Sequence, residues 1–184
     1  MAIYRIPAQD TPFTQGDIFI NVPYWRPHRK TREHPWPNID QRGNVVLDLQ
    51  RNSFAVLATQ TCDIDRAKEL LFVVATPASE QVAALEANSD HPVTEAEFRN
   101  WIVNNLHPRY HFFEQYIVEG RIIIPELVVN FRRPFTLRSE YVFEKLLPDG
   151  HRVLCLEEIY SAEFGNRFGQ YFARVATDRN MQSI

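Results

Sequence analysis

Proline limits this chain more than any other residue does. Twelve prolines stand against only six glycines, and each fixes φ and removes a backbone donor, so apolar runs are kept short and helices are confined to the stretches between them. Pro7 and Pro12 frame a loose N-terminal arm, and Gln15-Gly16-Asp17 turns the chain into a β-rich run at 17–22 that Pro23 ends. Residues 24–44 hold three prolines and many charges with no apolar period, which predicts a long loop. Beyond it, 45–50 alternates apolar and polar, and Arg51-Asn52-Ser53 is expected to turn the chain into a second strand at 54–61. The unbroken apolar run 70–76, closed by Pro77, reads as a strand buried on both faces.

Helices are expected in three places. Residues 79–87 favour one, and Thr94 with Glu97 has capping-box spacing before the apolar series of a second at 95–106. The third is 157–176, where Ile159, Phe164, Phe168, Tyr171, Phe172 and Val175 recur at steps that place them on one helical face. Between the second and third helices the text returns to strands at 111–118, 121–124, 127–131, 134–137, 141–146 and 152–156, with turns at Glu119-Gly120 and Pro148-Asp149-Gly150.

At 184 residues and 45% hydrophobic the chain suits one globular domain, 1–184, with a core large enough to need no metal or disulfide. Its net charge of −3 argues against non-specific polyanion binding by the whole surface. No apolar run approaches the roughly 20 residues of a membrane span, so no membrane partner is expected. The first residues lack a signal-peptide pattern, and a cytoplasmic location is expected. Cys62 and Cys155 form neither a disulfide framework nor a zinc knuckle, and no cofactor is expected.

Four places carry candidate chemistry. In 59–69, TQTCDIDRAKE, a reactive Cys62 would need a nearby cation to become thiolate, whereas strand alternation through Phe54, Val56, Ala58 and Gln60 expects a small packed thiol. Asp63 and Asp65 could share a cation only if other oxygens converged, and Asp63 more simply turns the chain. His107 and His111 stand at helical metal-ligand spacing, but Pro108 breaks that turn, and no metal is expected. The loop around Trp25, Arg26, His28, Arg29, Lys30, Arg32 and Trp36 interleaves cations with indoles, a combination that can neutralise phosphates and stack bases, or dock an acidic partner. In the last helix Gly165, Gly169 and Ala173 recur every four residues and open a narrow groove.

The segments QGDIFINVP, FAVLATQTCDIDR and LLFVVATP together resemble, over roughly the first 77 residues, growth-inhibitor toxin barrels of the MazF and PemK type. That resemblance implies an SH3-like barrel with an RNA-cleaving site, in which Arg51 takes the place of a catalytic arginine and Thr76 that of a strand-end threonine. Arg51 is followed here by Asn52 where the family has proline. The whole chain is more similar to uncharacterised bacterial proteins that share the QGDI opening, the TQxCD strand end, a VVNFRR-like strand and a closing RFxxYFARV helix, some linked to toxin–antitoxin or phage-defence loci.

The expected fold is therefore α+β, mainly β: an SH3-like, partly open barrel from about 15–77 and 111–156, a helical insert at about 79–106, and the C-terminal helix across it. The leading functional expectation is a non-catalytic binding module that recognises a protein or RNA partner through the 24–44 loop, and a homodimer is compatible with the small-residue helix face. The alternatives are a metal-independent endoribonuclease using Arg51 and Thr76, and a thiol-dependent enzyme using Cys62.

Overall fold

A computed structural model describes residues 3–8, 10–27, 41–42, 47–86 and 94–181. Its strands are β1 (Tyr4–Arg5), β2 (Ile18–Pro27), β3 (Leu47–Leu57), β4 (Glu69–Pro77), β5 (Tyr110–Phe113), β6 (Tyr116–Val118), β7 (Arg121–Ile124), β8 (Leu127–Arg138) and β9 (Arg152–Leu156). The helices are α1 (Ala78–Glu86), α2 (Glu95–Val103), the single turn α3 (Ser139–Tyr141) and α4 (Glu158–Met181). The fold is α+β. Seven strands form one antiparallel sheet in the order β1-β9-β2-β3-β4-β8-β5, and β6 and β7 make a separate hairpin.

The sheet does not close into a barrel, because β1 and β5 remain its edges. Its curl nevertheless brings those edges together at one point. The Tyr4 hydroxyl donates to the Glu114 carbonyl at 2.6 Å, and the Tyr4 ring meets Phe113 edge-on. Burial and the nearby Glu114 carboxylate raise the Tyr4 pKa, so the phenol stays a donor.

Both faces of the sheet are covered, as the apolar run of β4 requires. On one, Val56, Val73, Val129, Phe131 and Leu154 pack against Phe164 of α4. On the other, Phe19, Leu57, Leu70 and Phe72 pack against Val142 and Leu146. A third cluster joins Phe98 and Ile102 of α2 to Tyr110 and Val128.

Three local expectations are corrected. The Arg51-Asn52-Ser53 turn is absent, because Arg51 and Asn52 stay paired with Pro23 and Val22, which makes β3 one continuous strand. The loop expected from 24 begins instead as strand, since β2 runs on to Pro27. Residues 141–146 are helical rather than extended: α3 continues into a π-helical turn, Val142–Leu146, whose first and last residues face the core four positions apart. The capping box of α2 forms as expected, and Glu119-Gly120 turns with both φ angles positive.

Candidate functional site

The largest opening that gathers the sequence motifs is a groove of about 580 Å³ between α4 and the β3–β4 connection. Its apolar lining is Leu71, Pro134, Phe168 and Phe172, and its polar lining includes Gln15, Gln60, Asp63 and Glu69. Asp63, Glu69 and Phe172 are exposed. The groove thus pairs an apolar lining with acidic side chains.

The groove is held open by glycine and glutamine. Gln15 donates its side-chain amide to the Ala58 carbonyl at 2.7 Å, its backbone N–H donates to the Thr61 hydroxyl at 3.1 Å, and its carbonyl accepts from the Ser161 hydroxyl at 2.5 Å. A Cβ at Gly165 would meet the end of the Gln15 side chain, so the absence of a side chain there leaves room for that amide in its present place. Gly169, one turn on, has no neighbour within 4 Å of where its Cβ would lie, and that space belongs to the groove. Thr59 tightens the other wall by accepting from the Leu71 N–H at 2.7 Å.

Behind the groove lies a buried ion pair that anchors the N-terminal arm. Arg152 meets Asp17 at 2.7 Å, with side-chain exposures of 3% and 0%. The same guanidinium donates to the Thr11 and Pro12 carbonyls at 2.6 and 2.7 Å and lies over the Phe13 ring at 4.6 Å. Thr14 supplies Asp17 with a backbone and a hydroxyl donor. Burial pushes the Asp17 carboxyl above its ordinary value, against the lowering pull of Arg152 and Thr14. Cys155 is buried beside the pair, and burial followed by the Asp17 charge pushes its thiol up to about 12.

The expected site residues do not gather. Arg51 is exposed on β3 opposite Pro23, and Thr76 is half-buried on β4 opposite Val128. Among the described residues no hydrogen bond or ion pair links them, and neither lines the groove. Trp25 and Arg26 continue β2 opposite Leu49 and Asp48. His28, Arg29, Lys30, Arg32 and Trp36 lie outside the described residues.

The packed thiol expected at Cys62 is overturned: Cys62 is exposed, and its Sγ lies 4.0 Å from the Gln60 amide oxygen. The cause is the end of β3 at Leu57. Beyond it alternation stops, and Thr61–Asp63 forms a 3-10 turn. Asp63 turns the chain through its backbone, whose carbonyl accepts from Arg66 and Ala67, and leaves its carboxylate at the groove. His107 and His111 fall on opposite sides of a chain crossing: His107 is half-buried against Tyr110, and His111 is enclosed by phenylalanines. Among the described residues no three His, Cys, Asp or Glu side chains converge on a point.

Compared with protein-family models, with curated proteins and with solved structures, the chain matches none.

Proposed function

We propose that this chain is a non-catalytic binding module that holds a segment of a protein partner in the groove beside α4. One observation carries the reading. Four stretches far apart in sequence, around Gln15, Gln60, Pro134 and Phe168, meet in one groove whose lining joins apolar side chains to Asp63 and Glu69. That chemistry fits an amphipathic segment that buries apolar side chains on Phe168 and Phe172 and directs Lys or Arg at the two carboxylates. The sheet supports it as a rigid frame, and the SH3-like reading of the curled strands belongs to this proposal. The curl brings the Tyr24 ring of β2 to 5.3 Å from Phe135 of β8, tilted against it.

Labelled amphipathic peptides, matched except that Lys in one series is Glu in the other, test the reading by fluorescence anisotropy. The basic series is expected to bind wild type and to lose binding in Phe172→Ala and in Asp63→Asn combined with Glu69→Gln. Equal binding of the acidic series, or indifference to both variants, overturns it.

A further inference from the structure

The opposite flank of α4 carries the reverse charge. Residues 165, 168, 169 and 172 line the groove, whereas Arg167, Gln170, Tyr171 and Arg174 line a second cleft of about 150 Å³ with Asn105 and Pro108. The two sets have the same one-face spacing, displaced by two residues along the helix.

Guanidinium groups crowd this flank in an ordered way. Arg109 donates through Nε to the Asn130 amide oxygen at 3.0 Å, and the same oxygen accepts the Arg132 backbone N–H at 3.1 Å. Asn130 is buried, so it is a fixed anchor. Arg132 in turn donates through Nε to the Tyr171 hydroxyl at 3.2 Å, at the cleft wall. Both side chains are therefore gripped by Nε, and their terminal NH2 groups make no hydrogen bond among the described residues. Arg167 differs, since its terminal nitrogens donate to the Asn105, His107 and Tyr110 carbonyls at 3.0, 3.3 and 2.8 Å and tie α4 to the crossing before β5.

Among the described residues no carboxylate lies within ion-pair distance of Arg109, Arg132 or Arg167. Glu163, one turn before Arg167 on α4, acts electrostatically on Arg167. His107 sits beside them, and burial followed by Arg109 and Arg132 lowers its pKa. Arg109 and Arg132, close enough together that both act on His107 and without a carboxylate in ion-pair distance among the described residues, make a place prepared for an anion.

We infer that this flank binds a phosphate of a single-stranded nucleic acid. Arg109 and Arg132 offer their terminal NH2 groups to the phosphate oxygens, Asn130 holds Arg109 and the Tyr171 hydroxyl holds Arg132, and the cleft beside Tyr171 accommodates the adjoining nucleotide. Guanidinium suits this task because its planar donors match phosphate oxygens two at a time. This site is independent of the peptide groove.

The test uses the full chain with a fluorescent single-stranded RNA, a duplex of the same sequence, and inorganic phosphate alone. Single-stranded RNA is expected to bind wild type, with log affinity falling linearly against log salt. The slope should become shallower by about 0.7 for each of Arg109→Gln and Arg132→Gln. Binding should also raise the His107 pKa in an NMR titration, because an anion beside imidazolium stabilises it, a shift that a merely structural role for the arginines does not produce. Circular dichroism checks that both variants remain folded. No RNA binding at low salt, an unchanged slope in the variants, tighter binding of the duplex, or a response to inorganic phosphate only each overturns the inference.

Discussion

Mild acid should weaken this fold through one side chain, His111. It is 4% exposed and enclosed by Phe113, Phe164 and Phe131 at ring distances of 4.8, 5.5 and 6.5 Å. Its Nδ1 has no hydrogen-bond partner. Burial, then the Arg167 charge, lowers its pKa from 6.5 to about 3. Between those values the unfolded chain takes up a proton that the folded protein refuses, so stability is full above the ordinary histidine value and is lost as pH falls. At about 1.4 kcal/mol per unit below the ordinary histidine value, the loss between pH 8 and 5 is about 2 kcal/mol, a large share of the roughly 5–15 kcal/mol that holds a domain together. Urea unfolding at pH 8, 6.5 and 5 measures it, with His111→Leu as reference, because every other titrating group is common to both proteins. Wild type should lose about 2 kcal/mol more than the variant between pH 8 and 5. Equal losses, or a His111 resonance that titrates near pH 6 in the folded protein, would refute the reasoning.

Arg152→Met should cost about 3–5 kcal/mol, because it strands the buried Asp17 carboxylate, while Asp17→Leu combined with Arg152→Met should cost less than the single change; thermal melts compare them. Gly169→Ala, with open space around it, should stabilise by up to about 1 kcal/mol in denaturant titrations, whereas Gly165→Ala should gain less, because its Cβ displaces the Gln15 amide and weakens its bond to the Ala58 carbonyl. An alkylating reagent should label Cys62 in the folded protein and Cys155 only on unfolding, as peptide mass mapping would show.

What could be read from the sequence was local. The capping box at Thr94 and Glu97 and the Glu119-Gly120 turn lie within a few residues of their partners, so their signals survive without tertiary context. The readings that failed were decided by pairing. Arg51-Asn52-Ser53 has turn composition, yet its backbone stays in register with β2. The run 141–146 is too short for its period to distinguish a strand from a helical turn, and the second sheet face settles it by burying Val142 and Leu146. Cys62 was placed by alternation, and that argument fails as soon as the strand ends four residues early. Arg152 looks like an ordinary surface cation in an alternating strand, and its burial is intelligible only beside Asp17, 135 positions earlier. The Gly165 and Gly169 spacing did foretell a narrow groove, but the sequence alone could not say that Gln15 fills one end of it.

The placement of α4 links the two proposed surfaces and separates their occupants. Ser161 ties the helix to Gln15 on the groove side, and Arg167 ties it to three carbonyls on the other. Only Phe164 of its described side chains is fully buried, while Phe168 and Tyr171 are half-buried between the flanks. A displacement of two residues rotates a helix face by about 200°, so the acidic groove and the guanidinium cleft look in nearly opposite directions. A basic peptide and an RNA strand should therefore occupy the protein together. In a competition experiment, saturating single-stranded RNA should leave the peptide's affinity within about twofold, which corresponds to a coupling of only about 0.4 kcal/mol. Displacement of the peptide by RNA, beyond what a protein-free peptide–RNA control accounts for, would place both ligands on one surface and refute the assignment of opposite flanks, even if each ligand binds on its own.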